Sequence, residues 1–503
     1  MAIDALRDGY VRICFDPSLN IVGDRCRVVL EGQYYDPGDG CDVVPDVLRK
    51  VTSLRDIDCL FGEGSVLAES FKTALECCAG GGVEFFALPR LDADGAVAAE
   101  YTVTFTGPAT SDGRVEIYWG DGRYNVSFRV EAGDTETDIA AALVANMPAG
   151  FPYTAVAAAG VVTLTARNAG TVGNYLNPVY NWRNRNNFAP EGVTVAFAQT
   201  VVGATDPAPL DYSAVLGECC VCCYGMLYGD DAWQDGVIAY LNDAWACDKP
   251  QCFGHGYTYN AGTLGEILAQ DTNDAVVSRM AHCDTDPNFP WLKIAAYASK
   301  SCCETVDNPE ISIQGPQFGV LQCVTAPEAC AQCFTFDEQE QLRESGFVVT
   351  VPLSGGQGAL TSPMVTNDIT NNRYDDEGRE NLTFRDVSSR RLAAATAEAF
   401  ANELQKFNGL GFYTKNTTIR EGVRGTNPRL MTGAIRAWLK SQVGVLFSEF
   451  DDLDKDFQLL TDFEVQPKCL GVPGKVHINL VYRPPVRLNQ VVVNMQPKLL
   501  DNC

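Results

Sequence analysis

The sequence predicts a multi-domain α/β (α+β) protein. It has a mixed-sheet core with helices, an inserted β-rich domain, and extended N- and C-terminal β-arms suited to inter-subunit strand exchange. Three observations lead there. A strand–helix–strand order runs through residues 44–88. Between residues 98 and 204 the texture changes to short alternating strands separated by turn residues. The chain closes on an alternating strand, residues 476–482, stopped by Pro484-Pro485 because proline donates no ladder hydrogen bond; a second β-rich run, residues 486–496, follows.

The elements follow in order. Residues 1–20 read as an arm in which Val11, Ile13 and Phe15 alternate with Arg12 and Cys14. Residues 25–30 are β-rich and end at Glu31-Gly32. Ser53, with Asp56 three residues on, offers a helix start, and residues 65–78 place Leu67, Phe71, Leu75 and Cys78 on one helical face. A short buried strand spans 83–88. In the insertion, strands are expected at 101–106, 115–119, 124–130 and 161–165, with a helix over 135–146 capped by Asp134. Residues 206–209 form a linker. Helices are expected at 230–245, 262–270, 273–280 and 337–346, the last stopped by Gly346 before a strand over 347–352. The longest helix covers 388–407, and another covers 428–443 with Leu430, Ile435 and Leu439 inward.

At 503 residues, 46 % hydrophobic and 20 % charged, the chain can bury several cores. A net charge of −26 argues against a nucleic-acid binder, which needs a basic face. The charge is uneven: residues 1–333 hold 19 Lys and Arg against 43 Asp and Glu, whereas residues 334–503 hold 19 against 21. A less acidic last third suits a face turned inward in an assembly. No apolar run approaches the roughly 18 residues that span a bilayer. No secretory leader is read in the first 15 residues, so the N-x-S/T sites at Asn125, Asn381 and Asn416 carry no weight. Thiols are then expected to be reduced at synthesis.

Site-like patterns are few. Cys219-Cys220-Val221-Cys222-Cys223 and Cys330-Ala331-Gln332-Cys333 offer C-x-x-C spacing for a thiolate metal site, but about a hundred residues separate them. Packing as small buried hydrophobes is the preferred reading, with oxidation after a particle leaves the cell as a third. His255, His282 and His477 sit in no H-E-x-x-H context, and no G-x-S-x-G is present. Gly62-x-Gly64-x-x-Leu67 lacks the third glycine of a dinucleotide loop and reads as a turn packed under a helix. Asp452-x-Asp454-x-Asp456 lacks the glycine and glutamate of an EF-hand, with Phe457 and Phe463 in their places, and reads as an acidic turn. Catalytic residues, metal ligands and cofactors are therefore all expected to be none.

Several stretches together resemble the Mu-like contractile tail sheath family. Leu60-Phe61-Gly62-Glu63-Gly64-Ser65 with Leu67-Ala68 resembles its FGxGS-x-LA stretch, and Gly170 to Asn174 its G-T-V-G-N. Ser278-Arg279-Met280-Ala281, Asp286-Pro287 and the helix from Glu338 to Gly346 sit where the family has similar residues. Asn367-Asp368-Ile369-Thr370 with Asp375, Gly378 and Arg385-Asp386-Val387 resembles its iTTY…G…lDV segment, departing at Asn371-Asn372-Arg373-Tyr374. The resemblance spans about residues 44–497 and lies in the order and spacing of the motifs.

The resemblance implies a virion tail component assembled in the host cytoplasm: a sheath subunit stacked helically in hexameric rings around a tail tube. Contraction would drive the tube through the host envelope. Partners would be other copies, the tube protein, and baseplate and terminator or neck proteins, with no direct nucleic acid and no membrane insertion. The sheath of a bacteriocin-like injection particle is the alternative; a secreted β-rich adhesin is remoter. The expected layout is an arm (1–20), a core (21–97 and 205–333), an outward-facing insertion (98–204), a tube-facing C-terminal domain (334–485) and a second arm (486–503). The inter-subunit arm residues are Val11, Ile13, Phe15, Val491, Val493 and Met495.

Overall fold

A computed structural model describes residues 26–480 except 36–42, 79–81, 121–122, 182–187, 218–219, 230, 245–251, 271–272, 325–332, 354–361, 376, 381–383, 408, 414–415, 417, 447–449, 451–452 and 462–475. The chain divides into two compact units, residues 1–391 and 392–503.

The first unit is organised by a sheet built from β1 (Cys26–Gln33), β2 (Arg49–Val51), β3 (Val83–Arg90) and three later strands. Val28, Val29 and Leu30 of β1 are fully buried, so both faces of the strand are covered. That is the signature of a parallel sheet between helices. Between β1 and β3 lie α1 (Ile57–Phe61) and α2 (Val66–Cys77). The Ser65 hydroxyl accepts the Ala68 N–H and starts α2. Gly62 and Gly64 hold positive φ in the turn before it. A Cβ on Gly64 would sit 2.9 Å from the carbonyl oxygens of Gly150 and Phe151, so only glycine fits under the insertion there.

The insertion comprises β4 (Glu100–Thr106), β5 (Gly113–Trp119), β6 (Tyr124–Val130), α3 (Glu136–Ala145), β7 (Tyr153–Ala158), β8 (Val161–Ala166), β9 (Val179–Tyr180) and β10 (Thr194–Val201). The strands form two sheets, β10-β4-β8-β7 and β6-β5-β9, with α3 packed on β4, β6, β7 and β8. Reciprocal backbone hydrogen bonds between Val97 and Ala204, 2.9 and 3.1 Å, clasp the entering and leaving chain. The cap of α3 is Thr135 rather than the expected Asp134: Thr135 and Asp138 form a reciprocal capping box, while Asp134 accepts the Glu131 N–H.

The chain then runs through α4 (Tyr212–Leu216), β11 (Cys223–Met226), α5 (Asp231–Ala244), β12 (His255–Gly262), α6 (Leu264–Leu268), β13 (Val277–Cys283) and α7 (Pro290–Thr305). The large sheet has the order β13-β12-β11-β1-β3-β2, all parallel except β2. Numbered by chain order, its parallel strands follow the doubly wound sequence 2-1-3-4-5. On β12, Tyr257 meets Tyr297 of α7, while the adjacent Gly256 lies under Leu241 of α5. The two helices therefore cover opposite faces.

Residues 277–280, expected to be helical, belong to β13 instead. Val277 through His282 are all buried, so neither a helical nor an alternating period marks them. For the same reason β11, β12 and the almost wholly buried α7 carry no clean pattern.

The unit closes with α8 (Gly315–Phe318), α9 (Phe336–Glu344), β14 (Thr350–Pro352), β15 (Pro363–Val365) and the start of α10 (Val387–Gln405). Residues 334–391, expected to open a C-terminal domain, group with the first unit. Val348 bridges to Met280 beside β13, and Leu342, Phe347 and Val349 pack with Ile267 and Ala281.

The second unit holds the rest of α10, then β16 (Gly411–Phe412), β17 (Gly425–Thr426), α11 (Pro428–Ser441), α12 (Leu453–Asp456), β18 (Phe457–Thr461) and β19 (Val476–Leu480). Asn427 caps α11 through the Leu430 N–H, which turns Met431, Ile435 and Leu439 inward. Leu430, expected inward, is 54 % exposed because it lies on the first turn, off that stripe. Of the stretch read as an acidic turn, residues 453–456 form α12 instead, and Asp452 lies outside the described residues. β19 pairs antiparallel with β18.

Gly64→Ala is expected to destabilise the protein by about 1–3 kcal/mol, through a strained φ and a clash with backbone that cannot move away. Chemical denaturation checks it; an unchanged midpoint would contradict the joint.

Candidate functional site

In a doubly wound sheet, ligands bind outside the carboxyl ends of the strands where the strand order reverses. Here that place is the end of β1 between β3 and β11. It is occupied by the protein's own side chains.

Glu31 of β1 is fully buried and accepts from Arg90 Nη1 of β3 at 2.7 Å, from Tyr224 of β11 at 2.7 Å and from Tyr212 of α4 at 3.1 Å. Burial outweighs these partners and pushes the Glu31 carboxyl up to about 7. Arg90 also pairs with Asp46 at 2.7 Å, donates to the Ala208 carbonyl and stacks 4.6 Å over the Trp233 ring. Every one of these contacts is internal, and they tie β1, β3 and β11 to the segment leaving the insertion.

Two residues further along β1, Gln33 donates to Asp92 Oδ1 and to the Ala169 carbonyl, both at 2.6 Å. Asn168 accepts the N–H of Val66, the first residue of α2, at 3.1 Å and donates to Asp92 at 3.1 Å. The helix N-terminus that could receive an anion in this topology is thus met by an amide from the insertion. Thr171 N–H donates to Asp206 at 2.7 Å, and Asn174 exchanges two hydrogen bonds with Gly203. These contacts form the neck of the insertion.

A second buried network surrounds Asp368, which is 0 % exposed. It accepts from Tyr297 at 2.5 Å, from the Ile313 N–H at 2.8 Å and from Arg391 Nη2 at 3.0 Å. Arg391 also donates to the Ile311 carbonyl. Beside it, Arg390 contacts His255 Nδ1 and donates to the Gly254 carbonyl. The other ring nitrogen of His255 lies 2.9 Å from Ser278 Oγ, whose hydroxyl donates to the Ile369 carbonyl.

A serine–histidine pair invites a hydrolase reading, and the geometry opposes it. The histidine is backed by a guanidinium where a triad needs a carboxylate. Burial and the neighbouring Arg390 hold its pKa well below the usual range. His282 is also buried, and burial with the Lys293 charge lowers it to about 3; Lys293 is ion-paired with Asp286. The side chain of His477 lies outside the described residues.

Of the cysteine patterns, Cys223 is a buried thiol as the packing reading expects, whereas Cys220 is not. Cys219 and Cys330 lie outside the described residues. Cys220 is disulfide-bonded to Cys252, and further bridges join Cys26 to Cys302, Cys77 to Cys323 and Cys78 to Cys303. Cys223 keeps a buried thiol pushed up to about 12 by desolvation. Among the described residues no group of three or more His, Cys, Asp or Glu side chains is placed to hold a metal ion. No described helix is long and apolar enough to cross a membrane.

All six arm residues, Val11, Ile13, Phe15, Val491, Val493 and Met495, lie outside the described residues. Sequence reasoning missed Glu31, Arg90, Arg390 and Arg391. The available signals were a carboxylate at the end of an apolar β run and an Arg-Arg pair opening a long helix.

No protein-family model matches the chain, and no curated protein matches it. Among solved structures it is similar to the sheath tail protein of Desulfitobacterium hafniense, with 12 % identity, 94 % of this chain and 96 % of that chain covered, and a TM-score of 0.47. It is also similar to the sheath tail protein Lin1278 of Listeria innocua, with 12 % identity, 92 % of each chain and 0.44. A chain of the anti-feeding prophage baseplate in its contracted state shows 12 % identity, 100 % of each chain and 0.48.

Two outcomes are expected. Glu31 binds its proton up to about pH 7 when folded but only to about 4.5 when unfolded. Its contribution is therefore fully present below pH 4.5 and is lost as pH rises through 7. Glu31→Gln should remove that fall, so denaturation midpoints of wild type and variant should diverge across this window; parallel profiles would contradict it. Asp368→Ala leaves Arg391 buried without its carboxylate and should cost about 3–5 kcal/mol. Glu340→Ala, which breaks a partly exposed helix pair with Arg343, should cost about 1 kcal/mol or less. Equal losses in urea titrations would sink the distinction.

Proposed function

We propose that this chain is a structural subunit of a contractile tail sheath, polymerising helically around a tail tube and contracting to drive the tube through a host envelope. One observation carries the reading: several of the residues behind the sequence resemblance lie at joints of the first unit. Gly62, Gly64 and Ser65 shape the turn and cap where α2 meets the insertion. Thr171 and Asn174 make its neck. Asp368, Ile369 and Asp386 build the buried network before α10, where Ile369 bridges to Asp386 and Val387 N–H donates to Asp368. A chance likeness would scatter such residues over the surface.

On this reading the partners are other copies in stacked hexameric rings, the tube protein, and baseplate and terminator or neck proteins, in a virion tail assembled in the host cytoplasm. Residues 98–204 face outward, the less acidic last third faces the tube, and the terminal arms pair with neighbours. No enzymatic role is proposed, because the perturbed groups Glu31, His255 and His282 are spent on internal contacts or buried away from solvent.

The arms set the test. Ordering a strand residue costs about 1–2 kcal/mol in backbone entropy. A ladder hydrogen bond returns about 1 kcal/mol net. Burying a Val or Met side chain adds about 1.5–3 kcal/mol. Apolar contacts should therefore decide locking. Purified full-length chain is expected to form tubes or rings under the electron microscope. Val491→Asp with Val493→Asp should leave a folded subunit that cannot assemble, as should truncation after Pro485 or removal of residues 1–20. A wild-type chain that stays monodisperse at high concentration would argue against a sheath. Normal tubes from the truncated chains would argue against the arms alone.

A further inference from the structure

We infer that the first unit carries an oxidation site: a cluster of six cysteines that closes into three linked disulfides after the chain has folded. Cys77 and Cys78 end α2 and leave it in different directions, to Cys323 and to Cys303. Cys303 and its neighbour Cys302 lie on the last turns of α7, and Cys302 continues to Cys26, the first residue of β1. The path 323–77, 78–303, 302–26 joins four segments through two vicinal pairs. The Cα–Cα distances of 5.6, 5.9 and 6.6 Å fall in the range that a bridge spans without backbone movement.

Each bridge joins residues 225 to 276 positions apart, so the partners meet only once α2, α7 and β1 have packed. Apolar packing of α2 along α7 brings the thiols together; the bridges then fix that packing. Cys302 is fully buried, but Cys26, Cys77, Cys303 and Cys323 are only partly buried, so a small oxidant can reach each pair from at least one side. The oxidant belongs to the disulfide class, such as glutathione disulfide. Two protein thiols lose two protons and two electrons to form one S–S bond, and the oxidant's S–S bond is reduced to two thiols. Synthesis in a reducing compartment would thus yield a folded thiol form, and transfer to an oxidising one would lock it. The inference stands whether or not the chain forms a sheath.

The test uses the full chain, purified in the presence of reductant and then incubated, folded, with glutathione disulfide. Thiols are blocked with N-ethylmaleimide, and the protein is digested without reduction and mapped by mass spectrometry. Expected are one disulfide-linked set of four segments, carrying residue 26, residues 77–78, residues 302–303 and residue 323, and a thermal midpoint that rises on oxidation by on the order of 10 °C. Reducing the oxidised wild type should reverse the shift. Cys302→Ser with Cys303→Ser should lose most of it; should that variant fail to fold, the wild-type reversal still decides. Six alkylated thiols after oxidation would overturn the inference. So would an unchanged midpoint, or thiols that become reactive only after chelation of co-purifying zinc.

Discussion

Five parallel strands covered by helices on both faces leave their polar groups to be satisfied at the strand ends, because neither face meets water. At the carboxyl end this places Glu31, Gln33 and Arg90 side by side with the first turn of α2. In other doubly wound proteins such a place receives a ligand. Here the insertion supplies Asn168 and Ala169 and the following segment supplies Ala208 and Tyr212, so the end of the sheet becomes a joint. Glu31 shows what the arrangement costs: three donors do not compensate for its loss of water, and the carboxyl keeps its proton to about pH 7.

The Asp368 network uses the same chemistry elsewhere in the unit. A buried ion pair adds little net stability compared with apolar residues of the same shape, but it penalises every arrangement that separates its partners. Tyr297, Ile313 and Arg391 are thereby fixed to one carboxylate, and α10 begins from a defined place. Arg390 and His255 sit beside it as a cation and a ring kept neutral by burial. Polar residues that read singly as candidates for chemistry thus work together as fasteners. The cysteines at the ends of α2 and α7 add covalent fasteners to the same unit.

The sequence by itself determined the features that have a local period or a local stop signal. Ser65 opening α2, Gly346 ending α9, the long helix before residue 407 and the alternating strand at Val476 were legible because cap, glycine and periodicity lie within a few residues of each other. The strands over 100–106, 124–130 and 161–166 were legible because fully buried residues alternate with half-buried or exposed ones along each. Only the tertiary structure decided that residues 277–283 form a strand, since burial on every side erases the pattern that separates strand from helix. It likewise placed residues 334–391 with the first unit, through Val348 beside β13 and Asp368 beneath α7. The cysteine partners and the closure of the sheet end by Asn168 stayed hidden for one reason. Each depends on residues from 32 to 276 positions apart meeting in space, and no spacing along the chain records such a meeting.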